Sequence, residues 1–327
     1  MRRRDFIKVI ASSAAAWPLT TRAQQPALPM VGFVNAASAK GYESHLSAFL
    51  KGLSEVGYVD GQNVTVEYHW AENQGNRLPA MVADLIHRQV TVIAATGTPA
   101  ALAAKTATTT IPIVFTIVGD PLQLGLVTSL NRPGHNVTGV TQTNVEIAPK
   151  QLQLLHELVP SASVMALLVN PANPSLAEPN TKELQAAART LGLELHVLNA
   201  SSESDFNGVF AKVMQLQAGG LVIGADPLFS SRSDQLVALA LRHAVPTIYQ
   251  NRDFALAGGL VSYGADFRET YRLAGNYTGR VLKGEKPADL PIQQATKVEL
   301  CINLKTAETL GIAVPIPLLG RANEVIE

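Results

Sequence analysis

The chain has 327 residues, of which 47% are hydrophobic and 16% are charged. Its 26 basic and 26 acidic side chains give a formal net charge of +0, which argues against binding to nucleic acid, because that binding depends on a surplus of lysine and arginine. A single cysteine, Cys301, excludes an intramolecular disulfide and a cysteine-based metal cluster. A chain of this length more naturally forms two compact units than one.

The first 23 residues have the features of an export signal. Paired arginines, followed by Asp5, Phe6, Ile7 and Lys8, resemble a bacterial twin-arginine signal. A short, weakly apolar stretch at 9–19 and the small residue Ala23 follow in the order that a cleavable signal requires. The alternative is a disordered basic tail on a cytoplasmic protein. We predict export to the periplasm, with cleavage near Ala23.

Beyond residue 29, short β-branched runs alternate with longer runs of helical periodicity. We expect strands at 30–34, 64–68, 90–95, 111–118 and 137–141. Helices are expected at 42–56, at 78–88 and after Thr98. This alternation predicts a parallel sheet with helices on both faces.

The same series then begins again. Strands are expected at 164–169, 193–198, 221–224, 245–249 and 260–263, and helices at 176–191, 206–216 and 233–243. Corresponding points lie roughly 120 to 135 residues apart, a spacing that suits a repeated domain. The sequence therefore predicts an α/β protein of two similar Rossmann-like lobes with parallel sheets.

The last part of the chain does not begin a third lobe. A helix at 267–282, a strand at 297–302 and a helix at 304–310 remain after ten strands, so we expect the chain to cross back between the lobes. Crossings near 143–149, 263–267 and 287–295 would form a three-segment hinge. The predicted division is 29–145 plus 266–289 for lobe 1 and 146–265 plus 290–327 for lobe 2.

A ligand would bind in the cleft between the lobes, because open α/β sheets bind ligands beyond the carboxyl ends of their strands. The loops at these ends contain small residues, hydroxyls and amides. The candidate ligand-binding residues are Asn35, Ala36, Ser38, Trp70, Thr96, Gly97, Thr98, Gly119, Asp120 and Thr143 in lobe 1, and Asn170, Asn173, Asp226, Gln250, Asn251 and Tyr263 in lobe 2.

Several of these residues have two interpretations. Thr98 can cap the helix that follows it, and the free N–H groups of that helix suit a carboxylate. The alternative is an ordinary helix cap with no ligand. Asn35 and Asn170 either form turns or donate hydrogen bonds to a ligand.

The acidic and aromatic candidates also have two interpretations each. Asp226 and Asp120 could neutralise a ligand amine, since a carboxylate in a closed cleft attracts a cation. Both precede proline and could instead be turn residues. Trp70 and Tyr263 either stack on an apolar ligand or belong to the core.

Motifs of common enzyme classes are absent from the sequence. No G-x-x-x-x-G-K-[ST], G-x-G-x-x-G, G-x-S-x-G or H-E-x-x-H occurs. The seven histidines are scattered, and none pairs with a carboxylate at metal-ligand spacing. We therefore expect no enzyme, no cofactor and no metal site.

A series of short segments carries a resemblance to a known family. They are VGF at 31–33, FLKGL at 49–53 with GY at 57–58, YHWAE at 68–72, IPIVF at 111–115 with GDP at 119–121, NRPGHNVTG at 131–139 and LGRANEVI at 319–326. In this order they resemble the periplasmic substrate-binding proteins of ABC transporters, in the branch of tryptophan/tyrosine-type binding proteins. The resemblance runs over nearly all of the chain after the signal.

The resemblance implies the type I periplasmic binding protein fold and a monomeric receptor without a cofactor. Such a receptor closes on a small molecule and delivers it to a membrane permease that works with a cytoplasmic ATPase. The ligand would be an amino acid or a small aromatic or carboxylated compound. We expect a carboxylate-bearing ligand, held by first-lobe N–H groups and second-lobe side chains.

Other functions are compatible with two α/β lobes. A sensory co-receptor would have the same chemistry, and gene neighbourhood would separate it from a transport receptor. A periplasmic α/β enzyme would show turnover. A transcription regulator would need a DNA-binding module at the N-terminus, where this chain has its signal and no basic stripe follows.

Overall fold

A computed structural model describes residues 28–142, 147–295 and 297–327. The first series of elements is β1 (Met30–Asn35), α1 (Glu43–Glu55), β2 (Thr65–Trp70), α2 (Leu78–His87), β3 (Val92–Thr96), α3 (Thr98–Ala107), β4 (Ile113–Val118) and β5 (Val137–Gln142). The second series is α4 (Ile147–Leu158), β6 (Val164–Val169), α5 (Pro174–Leu191), β7 (Glu194–Asn199), α6 (Phe206–Gln215), β8 (Gly220–Ile223), α7 (Pro227–Ser231), α8 (Ser233–Arg242), β9 (Thr247–Tyr249), α9 (Arg252–Leu256) and β10 (Val261–Ala265). The chain ends with α10 (Phe267–Leu282), β11 (Gln293–Ala295), β12 (Val298–Asn303), α11 (Leu304–Thr309), α12 (Ile316–Leu319) and β13 (Glu324–Ile326).

Two sheets define two lobes. The first has the strand order β2-β1-β3-β4-β5-β11 and is parallel throughout. The second has the order β7-β6-β8-β9-β10-β12-β13. The first five strands of each series are thus arranged in the same order, with the first strand of the series second from the edge. The prediction of two similar α/β lobes is confirmed.

The chain passes between the two sheets three times, between β5 and α4, between β10 and α10, and between β11 and β12. The third crossing begins beside the second, where the Asp266 N–H donates to the Lys297 carbonyl at 3.4 Å. Because β12 therefore starts near the carboxyl end of β10, it runs back along that strand and pairs with it antiparallel.

The third crossing lies later in the chain than the sequence analysis places it. Strand β11 pairs with β5 in the first sheet, whereas residues 290–295 were expected in the second lobe. Pairing with β11 covers a backbone edge of β5 that would otherwise be exposed. So short a strand has too little hydrophobic pattern to be recognised from the sequence.

Each sheet has hydrophobic clusters on both of its faces, as parallel sheets require. Cys301 lies in β12 and is buried, and burial raises the pKa of its thiol to about 11. In the described part of the chain, no helix combines the length and the hydrophobicity needed to cross a bilayer.

Helix α10 returns to the first lobe and crosses α1 at very short range. A β-carbon added to Gly52 would lie 1.8 Å from the Arg272 carbonyl oxygen, and one added to Gly275 would lie 1.9 Å from the Phe49 carbonyl oxygen. Only glycine permits this approach. The crossing brings side chains of both helices to the space between the lobes.

We expect Gly52→Ala to destabilise the protein by about 3 kcal/mol, because the added methyl group has to displace the backbone of α10. The change in the free energy of unfolding is measured by denaturant titration. Gly208→Ala is the matched control, since Gly208 lies within α6 with no atom near its missing side chain. That control should stabilise the protein by up to about 1 kcal/mol through helix propensity. Equal effects at the two sites would contradict the close crossing.

Candidate functional site

A cavity lies between the two lobes. Its first-lobe lining comes from the starts of α1, α3 and α10 and from the carboxyl ends of β4 and β5. Its second-lobe lining comes from α5, α7 and the residues that follow β8 and β9. The lining residues are Tyr42, His45, Gly97, Thr98, Thr116, Ile117, Val118, Gln142, Leu176, Ala225, Asp226, Pro227, Ser230, Gln250, Phe267, Thr270 and Tyr271. The carboxyl ends of both sheets thus meet at one cavity between the lobes.

One wall of the cavity is aromatic. The ring of His45 lies 5.0 Å from Tyr42, 5.1 Å from Tyr271 and 5.9 Å from Phe267 between ring centroids. The Tyr271 hydroxyl accepts a hydrogen bond from Asn35 Nδ2 at 3.1 Å, which fixes the ring. Burial lowers the pKa of His45, so that its ring favours the neutral form. This wall suits a flat apolar group.

The N-terminus of α3 opens into the cavity. Gly97 is the residue before the helix and has φ of 92°, a conformation that favours glycine. The sequence suggests that Thr98 caps this helix, but in the structure it does not. Its hydroxyl instead exchanges hydrogen bonds with the backbone of Val118 at 3.1 and 3.2 Å. The first N–H groups of α3 therefore have no side-chain cap and favour an anion.

Asp226 is the acidic side chain of the lining and is 5% exposed. Its carboxylate accepts hydrogen bonds from Asn170 Nδ2 at 3.1 Å, Asn173 Nδ2 at 3.1 Å and the Leu228 N–H at 2.9 Å. Burial raises its pKa to about 6, although these three donors act in the opposite direction. Asp226 is thus both a turn residue and a buried charge at the cavity.

The two lobes touch around the cavity. Arg232 Nη1 donates to Ser38 Oγ at 2.8 Å, and Ser231 Oγ donates to Asn73 Oδ1 at 3.2 Å. Near the hinge, His45 Nε2 lies 3.6 Å from Asp253 Oδ2. Each contact joins the first lobe to the second, so the structure represents a closed arrangement.

We expect Arg232→Ala to weaken ligand binding about threefold to tenfold, because it removes a contact of the closed arrangement without touching the cavity. Isothermal titration calorimetry with a small molecule that binds the cavity measures the dissociation constant. Arg242→Ala, on the exposed end of α8, is the control. If the two variants bind alike, the Ser38 contact does not stabilise closure.

The structure brings four of the predicted residues to this cavity: Gly97, Thr98, Asp226 and Gln250. Gly119 and Asp120 line an adjoining cavity that shares Val118, Leu176, Ala225 and Gln250. Asp120 accepts the Leu122 N–H at 2.8 Å and so forms a turn. A further opening between the lobes is lined by Ala36, Asn170 and Asn173 as well as Asp226.

Other predicted residues lie outside the cavity, each with an internal role. Asn35 and Thr96 bond to each other at 2.8 Å, and Asn251 caps α9 through the Asp253 N–H. Ser38 contacts Arg232 across the lobes. The rings of Trp70 and Tyr263 pack against the core, so the core interpretation describes their position. Thr143 lies outside the described residues.

The helical part of the lining was missed by the sequence analysis. It includes Tyr42 just before α1, His45 on α1, and Phe267, Thr270 and Tyr271 on α10. The rule that ligands bind at the carboxyl ends of strands does not predict which helices from other parts of the chain also line the cavity. The one sequence feature that indicates part of this lining is the predicted second hinge crossing, because it places the first turns of α10 beside the cleft.

No group of three or more histidine, cysteine, aspartate or glutamate side chains in residues 28–142, 147–295 and 297–327 is arranged to hold a metal ion. The lining offers hydrogen-bond acceptors, one buried carboxylate, a helix N-terminus and aromatic faces. These groups can bind a small molecule that has both a charged and an apolar end.

Comparisons with known proteins relate this architecture to one family. The sequence profile of the ABC transporter substrate binding protein family matches residues 31–326. A tyrosine-binding protein of Clostridioides difficile (strain R20291) is 29% identical over 268 residues, which are 81% of this chain and 75% of that protein.

Two solved structures share the fold over most of their length. An ABC domain in complex with L-Trp from Streptococcus pneumonia superposes with a TM-score of 0.81 and 26% identity, covering 91% of this chain and 100% of that one. A conserved domain protein of Vibrio cholerae superposes with a TM-score of 0.82 and 25% identity, covering 91% and 99%.

Proposed function

Because the chain belongs to the family of ABC transporter substrate binding proteins, we propose that it captures an aromatic amino acid between its lobes and delivers it to the permease of an importer. Members of this family bind small molecules and work with the other components of an ABC transporter. One observation supports an aromatic amino acid as the ligand. A single cavity between the lobes combines an aromatic wall, a helix N-terminus and a buried carboxylate.

The aromatic wall would hold the side chain of the ligand. Tyr42, His45, Phe267 and Tyr271 present ring faces and edges, and aromatic pairs gain about 0.5–1.5 kcal/mol beyond the burial of their area. The apolar side chains of Ile117 and Leu176 complete this part of the lining. The names of two similar proteins, a tyrosine-binding protein and a complex with L-Trp, support an aromatic ligand.

The two charged groups of an amino acid would have separate partners. Its carboxylate would face the first N–H groups of α3, and its ammonium group would face Asp226. These two sites lie close together, since a β-carbon on Gly97 would be 4.0 Å from Pro227 Cγ, next to Asp226. The head group of one amino acid can therefore reach both. The carboxylate would thus bind the first lobe, while the charged partner of the ammonium group, Asp226, comes from the second.

The experiment is a thermal-shift screen followed by calorimetry on protein freed of co-purified ligand by unfolding and refolding. The panel holds L-tryptophan, L-tyrosine, L-phenylalanine, L-leucine, indole-3-propionate, tryptamine, dicarboxylates and sugars. A ligand at 100 times its dissociation constant stabilises by about 2.7 kcal/mol, which shifts the midpoint by several degrees. We expect the intact aromatic amino acids to give the largest shifts.

Different results would reject different parts of the proposal. Shifts by sugars or dicarboxylates alone would reject the aromatic amino acid. Conversion of a bound compound into a product would show an enzyme, which this proposal excludes. A scattering mass of one chain, with and without ligand, is the expected result for a monomeric receptor.

Family members of this kind are typically extracytoplasmic, and we propose that this chain reaches the periplasm through its twin-arginine-type segment. That segment lies outside the described residues. N-terminal sequencing of the periplasmic protein tests the cleavage near Ala23.

A further inference from the structure

Two buried amide oxygens of the cavity have no protein donor. Gln142 ends β5 in the first lobe and is 1% exposed, and Gln250 follows β9 in the second lobe and is 5% exposed. Both side chains line the cavity. Within the described residues, no donor lies within hydrogen-bond distance of Gln142 Oε1 or Gln250 Oε1. Buried polar atoms in native proteins usually have a partner in the protein, in ordered water or in a ligand.

The orientation of the Gln142 amide is fixed by its neighbour. The Thr270 hydroxyl donates its one proton to the Asp266 carbonyl at 3.1 Å. Towards Gln142 it can therefore only accept, and it accepts from Gln142 Nε2 at 2.8 Å. A reversed amide would require the Thr270 hydroxyl to give up its bond to the Asp266 carbonyl. The Gln142 oxygen is consequently the atom left for the cavity.

Gln250 is held in a similar way from the other lobe. Its Nε2 donates to Ser230 Oγ at 3.0 Å, and its oxygen remains without a donor. The cavity therefore receives one amide oxygen from each lobe, in addition to the Asp226 carboxylate. A primary ammonium group has three N–H donors and no acceptor, which matches three acceptors.

We propose that Gln142 and Gln250 are specificity-determining residues whose oxygens accept hydrogen bonds from the ammonium group of the ligand, one from each lobe. This inference rests on the proposed function and extends it. Closure without an ammonium group buries both oxygens unpaired, which costs free energy. The amine of the ligand, more than its ring, therefore makes closure favourable. A deaminated compound with the same ring fills the aromatic wall but leaves the oxygens unpaired.

The test compares the binding of L-tryptophan with that of indole-3-propionate, which lacks the amine. The variants are Gln142→Met, Gln250→Met and the double variant, with Gln153→Met on the exposed face of α4 as the control. Calorimetry gives the ratio of the two dissociation constants. We expect each single variant to reduce this preference for the amine about tenfold. An unchanged ratio in folded variants would overturn the inference.

Thr270→Val tests the fixed orientation of the amide. It removes the acceptor for Gln142 Nε2, so the amide can turn and the preference for the amine should fall while the aromatic wall is kept. A Thr270→Ser variant keeps the hydroxyl and should restore the preference. If valine and serine behave alike, Thr270 does not position Gln142.

A measurement without ligand separates this inference from the proposed function. The distance between the lobes is followed by fluorescence transfer between labels on Glu178 and Lys40, both exposed. The double glutamine variant should populate the closed arrangement more than the unaltered protein, because methionine leaves no unpaired oxygen. An unchanged distribution would overturn the inference even if L-tryptophan binds. Failure of every aromatic amino acid to bind, with this shift present, would reject only the proposed ligand class.

Discussion

Replacing Asp226 by asparagine should raise the dissociation constant for an aromatic amino acid about 100-fold and, at the same time, stabilise the unliganded protein. The loss of affinity follows from a buried ammonium group that no longer has an ionised partner, since breaking such a pair costs about 3–5 kcal/mol. The gain in stability follows from burial, which raises the pKa of Asp226 from 3.8 to about 6. Keeping it ionised at neutral pH costs the fold about 3 kcal/mol.

The expected gain in stability is smaller than this cost. Asparagine can still accept the Leu228 N–H and the Asn170 amide at its oxygen, but its amide nitrogen would face the donor of Asn173. One lost hydrogen bond offsets about 1 kcal/mol. We therefore expect a net stabilisation of about 1–2 kcal/mol at pH 8. Denaturant unfolding of the ligand-free protein measures it, and calorimetry measures the affinity.

Asp120→Asn is the matched control. Asp120 also precedes a proline and accepts the N–H group two residues along, but it is half-buried and lies outside the main cavity. Its replacement should change the affinity less than threefold. A similar loss of affinity in both variants would contradict the assignment of the ammonium group to Asp226, as would an Asp226→Asn variant that is less stable and still binds.

The parts of the site that the sequence could predict are those controlled by local rules. Gly97, Thr98, Asp226 and Gln250 all follow a strand, and the ends of parallel strands meet at one edge of a sheet. The repeated order of strands and helices predicts both sheets for the same reason. Each of these inferences needs only the residues next to one another in the chain.

The aromatic wall could not be predicted in this way, because it depends on a contact between distant helices. Tyr42 and Tyr271 approach each other only because Gly52 and Gly275 let α1 and α10 cross at short range. Helical periodicity shows that each helix has an apolar face. It does not show which helix that face meets.

Hydrogen bonds between distant residues decide which polar side chains remain available. Asn35 and Thr96 lie 61 residues apart and bond to each other, so neither faces the cavity. Gln142 and Thr270 lie 128 residues apart, and their bond leaves an oxygen free. A sequence pattern finds polar residues at strand ends, but their availability follows from tertiary pairing.

The affinity for an amino acid should increase with pH through about 6. Asp226 attracts an ammonium group only when it is ionised, and burial raises its pKa to about 6 in the closed, ligand-free structure. At pH 5 roughly one molecule in ten is ionised, so the dissociation constant should be about tenfold higher than at pH 7. Binding between pH 5 and 6 should release a proton, which calorimetry in buffers of different ionisation enthalpy detects.

The stability of the ligand-free protein should respond to Asp226 in the opposite direction. Because the folded pKa lies above the ordinary value of 3.8, the folded state binds more protons than the unfolded state between about pH 4 and 6. The contribution of Asp226 to the free energy of unfolding therefore falls as pH rises through that window. Burial lowers the pKa of His45, so its contribution to the free energy of unfolding falls as pH drops below 6.5. Asp226→Asn removes the first effect and leaves the second, so subtracting the two pH profiles isolates Asp226. If the variant keeps the pH dependence of affinity, the ammonium group has another partner.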